Sequence, residues 1–241
     1  MPKGHYSILI GEKIKKFNKT INVDSDKSIS IRSFLISSIS NDISKISNAL
    51  DSEDVNSCII CLKKLGVKIK KTYNKDYLVY GKGLGSLSAS RNTVLDCGNS
   101  GTLARLLVGI LSTTPNIHVK IKGDKSLNKR DMSKLIQSMS EFGAEFIPKN
   151  KKHFPLNLIS SEIPVAIDYI AGNSAQIKSA VILAGLNSFG NTKIIEKQKT
   201  RDHTENILLN NSKSIEIKKK LNLIKVLGKK SLNKTNMKVP S

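Results

Sequence analysis

The stretch that carries most information about the fold runs from residue 99 to residue 108 and reads Asn99-Ser-Gly-Thr-Leu-Ala-Arg-Leu-Leu-Val108. A small polar cluster is followed at once by apolar residues at helical spacing, which predicts the start of a buried helix. The same pattern occurs at Ser28-Ile-Ser-Ile-Arg-Ser-Phe-Leu-Ile36 and at Asn173-Ser-Ala-Gln-Ile-Lys-Ser-Ala-Val-Ile-Leu183. The first residues of the copies are 71 and 74 positions apart, so we interpret them as three copies of one structural unit.

A second helix is predicted in each unit. In the first two units an aspartate, Asp54 or Asp131, is followed 12 residues later by a glycine, Gly66 or Gly143. This spacing suits an N-capping acid and a glycine just after the helix end. The third copy begins at Asp202 and has no such glycine. Extended residues flank the helices, so the sequence predicts an α/β (α+β) fold of three repeated β-α-β-α-β-β units that form one domain.

The composition narrows the functional class. The 241 residues carry a formal net charge of +21, which raises the question of nucleic-acid binding. However, only five of the 40 basic residues are arginine, and aromatic residues make up 5% with no tryptophan. Base readout and stacking on single strands both use these residue types, so we expect no nucleic-acid partner. No apolar stretch of membrane-spanning length occurs, which predicts a cytoplasmic protein without a membrane partner.

The cysteines and histidines give no clear metal or redox signal. Cys58 and Cys61 form a Cys-x-x-Cys motif within a predicted helix, and a redox pair, half of a zinc site and buried structural thiols are the alternatives. No second pair accompanies the motif, which favours buried thiols. The four histidines show no ligand spacing, so we expect no metal ion.

Four of the five arginines lie in or next to a predicted helix start. They are Arg32, Arg105, Arg130 and Arg201. A helix N-terminus offers free amide groups and a partial positive charge, and a guanidinium adds bidentate binding of planar anions. A surface ion pair is the alternative for any single arginine. Their placement at equivalent points of the repeat predicts an anion-lined cleft.

Polar and small residues near these helix starts are further candidates for a binding site. They supply a point charge, hydroxyl groups, side-chain amides, or a glycine that lets a ligand approach the backbone. A simple helix cap is the alternative reading for the polar members of the set. The candidates are Lys27, Ser28, Asn99, Gly101, Thr102, Ser174, Ala175 and Gln176.

These residues fall within an ordered set of motifs that resembles the EPSP synthase (3-phosphoshikimate 1-carboxyvinyltransferase) family. The resemblance is to the branch with Ser-Ala-Gln and Arg-Asp-His-Thr-Glu motifs. The matching stretches span residues 26 to 205, and the ordered set is far more specific than any one of them. They are Asp26–Phe34, Glu53–Val55, Gly98–Thr102, Gly123–Arg130, Ser174–Ala180, Leu183–Asn187 and Thr200–Glu205.

The resemblance implies a reaction and a set of residue roles. The enolpyruvyl group of phosphoenolpyruvate would pass to shikimate 3-phosphate with release of phosphate, in the shikimate pathway to chorismate and aromatic amino acids, without a cofactor or metal. Lys27 would be catalytic and would contact both substrates. Shikimate 3-phosphate would be bound by Lys27, Ser28, Arg32, Ser174, Ala175, Gln176 and Arg201. Phosphoenolpyruvate would be bound by Lys27, Gly101 and Arg130, with Asn99, Thr102 and Arg105 as secondary candidates.

The resemblance also implies a two-domain enzyme that is monomeric when full length, with its active site between the domains. Residues 26–231 would form one complete three-unit domain. Residues 1–25 would contribute strands to the other domain, and residues 232–241 would begin the return into it. The family residues for proton transfer would lie beyond this chain, so we expect an N-terminal half that binds substrate weakly and is inactive alone.

Two departures and two alternatives accompany the resemblance. Asp24-Ser25 replaces the family's Pro-Gly, and Asp131 replaces a proline after Arg130. A sister enzyme that acts on UDP-N-acetylglucosamine shares the fold, but its reactive-cysteine loop has no match here, since Cys97 precedes a helix instead. A non-catalytic, basic RNA-binding module of similar repeat fold is the alternative from another class.

Overall fold

The structure is a computed structural model that describes residues 23–74 and 76–241, together with residues 9, 11, 18, 20 and 21. The described residues form six α-helices, which are α1 (Lys27–Ser38), α2 (Glu53–Lys64), α3 (Gly101–Ser112), α4 (Ser133–Glu141), α5 (Ala175–Leu186) and α6 (His203–Asn211). Short 3-10 turns occur at Leu127–Lys129 and Lys219–Leu221.

Twelve strands build three sheets of four strands each in this part of the chain. Most strands are short and alternate buried with exposed residues, as expected for sheets with one face on a core. The strands are β1 (Ile43–Ser47), β2 (Lys68–Lys71), β3 (Tyr77–Tyr80), β4 (Thr93–Asp96), β5 (His118–Lys122), β6 (Glu145–Ile147), β7 (Leu156–Ile159), β8 (Asp168–Ala171), β9 (Asn191–Glu196), β10 (Ile215–Lys218), β11 (Leu223–Leu227) and β12 (Met237–Lys238).

The three sheets share one topology, which confirms the predicted α/β repeat. The second sheet has the order β4-β5-β7-β6 and the third has the order β8-β9-β11-β10. In each, the first two strands are parallel and the remaining pairs are antiparallel. The first sheet, β12-β1-β3-β2, follows the same rule, but its parallel edge strand β12 comes from the far end of the chain.

The first helices of the three units repeat with one period. Each has 12 residues, and they begin at Lys27, Gly101 and Ala175, so both intervals are 74 residues. The sequence motifs begin 71 and 74 residues apart because Ser28 lies inside α1, whereas Asn99 and Asn173 each lie two residues ahead of their helix. Arg32 is consequently the sixth residue of α1 whereas Arg105 is the fifth of α3, so these two arginines do not occupy equivalent positions.

The second helices begin differently from the prediction. Ser52 is the N-cap of α2, and Asp54 lies within its first turn. Asp131 precedes the N-cap Met132 of α4, and its carboxylate instead accepts hydrogen bonds from Ser133 N and Oγ, at 2.9 and 2.8 Å. Asp202 is the N-cap of α6 but makes no side-chain capping bond. The three aspartates therefore lie close to the helix starts, but none of them forms the side-chain capping hydrogen bond that was expected.

The glycine stops of the second helices are confirmed. Gly66 and Gly143 follow the C-caps of α2 and α4 with φ of +82° and +94°, a conformation that side chains with a Cβ rarely adopt. The third unit has no glycine there, and α6 ends at the extended residue Ser212.

The core is centred on α1, α3 and α5, which are buried on nearly all sides as expected for interior helices. α3 packs against both α1 and α5. At the α3–α5 crossing, a Cβ built on Gly109 would lie 2.5 Å from the carbonyl oxygen of Ala180, so only glycine allows this close approach. Cys58, Cys61 and Cys97 are free and buried, which confirms structural thiols. None of the described helices is long and apolar enough to cross a bilayer.

The domain boundaries stay predictions. The strands expected within residues 1–25 fall largely outside the described residues. At the other end, Met237–Lys238 pairs with β1 inside the first sheet.

Candidate anion-binding site

The N-terminal turns of α1, α3 and α5 build the candidate site. Their N-caps are Asp26, Ser100 and Ser174, and each side chain accepts a hydrogen bond from the amide three residues later, at 2.7, 3.3 and 3.3 Å. Such caps satisfy part of each helix terminus and leave further amide groups available to a ligand. The repeat therefore places three positively polarised helix ends in the same structural role.

A side-chain network joins the ends of α3 and α5. Gln176 Oε1 accepts a hydrogen bond from Arg105 Nη1 at 2.8 Å, and Gln176 Nε2 donates to Thr102 Oγ1 at 2.9 Å. Arg105 Nη1 also lies 3.2 Å from the carbonyl oxygen of Gly101. Both polar ends of the Gln176 amide are thus occupied by α3, which fixes their orientation.

Two guanidinium groups flank Gly101. A Cβ built on this glycine would lie 2.7 Å from Nη1 of Arg105 and 2.7 Å from Nη1 of Arg130. Arg130 follows the 3-10 turn and donates from Nη2 to Asn99 Oδ1. Burial and, next, the charge of Arg130 lower the pKa of Arg105. Two cations beside a helix N-terminus form a field that favours a small anion.

Arg32 is buried, with 2% of its surface exposed, and its hydrogen bonds are made within the protein. Nε donates to Thr204 Oγ1 at 2.8 Å and Nη2 donates to Ser179 Oγ at 3.2 Å. Nη1 donates to both the carbonyl oxygen and the hydroxyl of Ser28. Burial lowers the pKa of Arg32 to about 10, and the nearby negative charge of Glu205 opposes this shift. The side chain remains a cation at neutral pH.

Lys27 and Arg201 are exposed, as is Arg130. Lys27 Nζ forms an ion pair with Asp54 Oδ2 at 2.9 Å. Arg201 immediately precedes Asp202, the N-cap of α6, and its charge contributes to lowering the pKa of Arg32 and of His203. Arg201 therefore lies near Arg32, at the side of the site formed by α1 and α6.

The predicted residues fall into two connected groups and four separate members, one of which is Arg201, described above. One group joins Ser28 with Arg32. The other contains Asn99, Gly101, Thr102, Arg105, Arg130 and Gln176. Lys27 pairs with Asp54 rather than with a predicted partner, Ser174 caps α5, and Ala175 is the first residue of that helix. A groove of about 540 Å³ that reaches Ser174 is lined mainly by α4 and β8.

Sequence reasoning assigned no part in the binding site to several residues that hold it together. Asp54, Ser179 and Thr204 lie inside the recognised motifs, and they contact Lys27 or Arg32 directly. Lys178 and Glu205 form a buried ion pair behind them. No local pattern could have found these partners, because Thr204 is 172 positions from Arg32 in the chain.

No group of three or more His, Cys, Asp or Glu side chains is placed to hold a metal ion in residues 23–74 and 76–241. The expectation of a reaction without metal or cofactor stays a prediction.

Comparisons with known proteins agree on one family. The model of the family described as EPSP synthase (3-phosphoshikimate 1-carboxyvinyltransferase) matches residues 11–241. The chain is 39% identical over 207 residues to the 3-phosphoshikimate 1-carboxyvinyltransferase of Syntrophomonas wolfei, covering 83% of this chain and 46% of that protein. It is 38% identical over 234 residues to the enzyme of that name from Bacillus cytotoxicus, covering 94% of this chain and 52% of the relative.

The comparison of folds points to the same family as the comparison of sequences. The chain superimposes on EPSP synthase from Acinetobacter baumannii with a TM-score of 0.84 and 32% identity, covering 92% of this chain and 49% of that structure. The chain therefore spans about half the length of the relatives it matches. On the family model, the sequence relatives and the fold together, this chain belongs to the EPSP synthase family.

Proposed function

We propose that this chain supplies the substrate-binding part of an enzyme that transfers the enolpyruvyl group of phosphoenolpyruvate to shikimate 3-phosphate. The observation that carries the proposal is the pair of guanidinium groups beside Gly101, of which Arg105 is hydrogen-bonded to Gln176 of the next repeat unit and Arg130 to Asn99. Both substrates are phosphate-bearing anions, and this arrangement presents fixed cations to two adjacent positions. Membership of the family supports the same choice of substrates.

Phosphoenolpyruvate is assigned to the pocket beside Gly101. Arg130 and Arg105 lie beside the glycine, whose missing side chain lets both guanidinium groups come close to the end of α3, where we place the anion. Lys27 lies at the corresponding first position of α1 and contributes a point charge towards both substrates. Asn99 and Thr102 hold Arg130 and Gln176 by hydrogen bonds, so we assign them supporting roles.

Shikimate 3-phosphate is assigned to the side formed by α1, α5 and α6. The first turn of α5, with Ser174, Ala175 and Gln176, supplies amide groups and polar side chains. Arg201 and Lys27 supply exposed charges for the phosphate, whereas Ser28, oriented by Arg32, supplies a hydroxyl for the shikimate ring.

The proposed chemistry is an addition followed by an elimination. The acceptor hydroxyl loses its proton and its oxygen forms a bond to C2 of phosphoenolpyruvate, while the C2–C3 double bond opens and C3 takes up a proton. C3 then loses a proton, the C2–C3 double bond forms again, and the C2–O bond to phosphate breaks, with its electron pair leaving on inorganic phosphate. The residues of this chain bind and orient the two anions and stabilise charge on the phosphate groups, which are the contributions expected from proximity and fixed electrostatics. The proton-transfer groups are assigned to the remaining half of the relatives' length.

The rest of the active site is accordingly assigned to a second domain. We propose that residues 26–231 form one of two domains that close on the substrates, because the chain spans only about half the length of the relatives it matches. The expected monomeric state, cytoplasmic location and lack of a nucleic-acid partner belong to this proposal and stay predictions.

The test is a calorimetric titration of the chain with shikimate 3-phosphate. We expect saturable binding that is weakened at least tenfold in Arg201→Ala, about 1.4 kcal/mol or more. Arg91→Ala is the matched control, because it removes the same charge from an exposed residue bonded to His118, at the opposite end of β5 from the site. Binding to the wild type that is equally weakened in both variants would reject the assigned site.

Two further ligands separate the alternatives. UDP-N-acetylglucosamine in place of shikimate 3-phosphate tests the sister acceptor, and RNA at physiological salt tests nucleic-acid binding with its steep salt dependence. If shikimate 3-phosphate fails to bind, the titration is repeated with the remaining half of a relative supplied in trans. Binding and phosphate release only in that mixture would support a site shared between two halves, and failure there would reject the proposed acceptor.

A further inference from the structure

Arg32 makes four hydrogen bonds within the protein. Its five N–H groups form a rigid fork, and they donate from Nε to Thr204, from Nη2 to Ser179 and from Nη1 twice to Ser28. Only one N–H, on Nη2, is left for a ligand. Most of the hydrogen-bonding capacity of Arg32 is therefore used by its protein neighbours, and its predicted contact with shikimate 3-phosphate stays a prediction.

The hydroxyl groups behind Arg32 have fixed donor directions. Ser179 Oγ donates to the carbonyl oxygen of Ala175 at 2.8 Å, so it can only accept from Arg32 and from Thr204. Thr204 Oγ1 donates to Ser179 Oγ at 2.9 Å, so it must accept from Arg32 Nε. Each hydroxyl has a single hydrogen, and both hydrogens are thus assigned.

Neither hydroxyl can reach a ligand. Thr204 and Ser179 are 0% and 1% exposed, and they lie where α6 packs against α1 and α5. Ser28, at the other end of this series of hydrogen bonds, is different. It is only half-buried and lies in the first turn of α1. Ser28 Oγ accepts from Arg32, so its own hydrogen remains free to donate outwards.

We propose that Thr204 and Ser179 are positioning residues that lock the guanidinium of Arg32 and thereby aim the hydroxyl of Ser28 into the site. The ligand that this hydroxyl meets, shikimate 3-phosphate, rests on the proposed function; the locking of Arg32 does not. The first turn of α6 is held from behind by Glu205, whose carboxylate lies 2.6 Å from the buried Lys178 Nζ. The position of Thr204 is thus fixed independently of any ligand.

The locking is tested in the ligand-free protein by NMR of the arginine Nε–Hε groups. The chain has only five arginines, so Arg32→Lys identifies the Arg32 signal by its disappearance. In the wild type we expect slow exchange of Arg32 Hε with water. Thr204→Val removes the acceptor at nearly constant shape and should speed this exchange by at least tenfold, about 1.4 kcal/mol of lost protection. Thr204→Ser restores the hydroxyl and should restore slow exchange.

A matched control separates this effect from general loosening of the fold. Thr192 is also fully buried, but its hydroxyl has no hydrogen-bond partner among the described residues, so Thr192→Val should leave the Arg32 signal unchanged. Equal exchange rates of Arg32 Hε in the wild type and Thr204→Val would overturn the proposal. So would a loss of protection in Thr204→Val that Thr204→Ser fails to restore.

The link to the ligand is tested by a double-mutant cycle on the affinity for shikimate 3-phosphate. If Thr204 acts through Arg32 and Ser28, Thr204→Val should weaken binding in the wild type but add little in a Ser28→Ala background. Fully additive effects would show that Thr204 does not act through Ser28 and would overturn that step. Absence of binding to the wild type would count against the proposed function, while the NMR result would still decide the locking of Arg32.

Discussion

The Nζ of Lys178 lies 2.6 Å from Oε1 of Glu205, and both side chains are buried, with 0% and 1% exposed. Glu196 supplies a second carboxylate, with its Oε1 at 2.7 Å from the same nitrogen. Burial raises the pKa of Glu205 in spite of the adjacent ammonium group. One cation shared by two carboxylates inside the third unit ties α5, α6 and β9 together directly beneath Thr204.

Replacement of Lys178 by methionine should destabilise the protein strongly. The substitution preserves the length of the side chain but leaves Glu205 buried without its counter-charge, which typically costs about 3–5 kcal/mol of unfolding free energy. Urea denaturation measures the change. Lys193→Met is the control, since its pair with Asp168 on the same sheet is 3.7 Å long and exposed, so we expect a loss below about 1 kcal/mol. Equal losses in both variants would contradict the structural role of the buried pair. Recovery in Lys178→Met/Glu205→Gln would support it.

Alanine at two glycines of α3 should have opposite consequences. At Gly109 the new Cβ meets backbone atoms of Ala180 at 2.5 to 2.9 Å, which forces α3 and α5 apart and should cost about 1–3 kcal/mol or more. At Gly101 it meets only the ends of the Arg105 and Arg130 side chains, which can move. We therefore expect Gly101→Ala to fold normally and to bind phosphoenolpyruvate more weakly. Thermal unfolding and a binding titration check the two outcomes, and normal stability of Gly109→Ala would refute the close crossing.

The imidazole of His203 should report on the charges of the site. Burial, then the charge of Arg32, lowers the pKa of His203 below its usual 6.5. The unfolded chain consequently binds this proton at a higher pH than the folded chain, so His203 contributes a loss of stability as pH falls below 6.5. An NMR titration should give a lower midpoint in the folded protein than in urea. Arg32→Leu should move the midpoint back towards 6.5, and an unchanged midpoint would contradict this electrostatic coupling.

Conversion of Gln176 to glutamate should separate stability from binding. The new carboxylate still accepts the hydrogen bond from Arg105, and a charge-assisted bond is at least as strong, so the melting temperature should not fall. However, it adds a negative charge where two anionic ligands are assigned, and Thr102 loses a donor. We expect binding of either substrate to weaken by at least about tenfold. Gln137→Glu, at an exposed position of α4, is the control and should leave the affinity unchanged.

The repeat and its helix starts could be predicted because their signals are local. The capping groups Asp26, Ser100 and Ser174 act on an amide three residues away, and the apolar spacing follows directly from the helical period. The positive-φ stops at Gly66 and Gly143 are equally local. The predicted N-caps of α2 and α4 were wrong, since an aspartate near a helix start can occupy several positions that sequence spacing does not distinguish.

The sequence by itself determined the three-unit α/β plan, the glycine stops and the concentration of arginines near helix starts, because each depends on residues within a few positions of one another. Only the tertiary structure decided that Arg32 is held by Thr204 and Ser179, that Lys178 is shared by Glu196 and Glu205, and that β12 completes the first sheet beside β1. The partners of Arg32 are 172 and 147 positions away, and the β1–β12 pairing is of similar span. Contacts of this kind arise from the packing of the three units against one another, which leaves no periodic or local trace in the sequence.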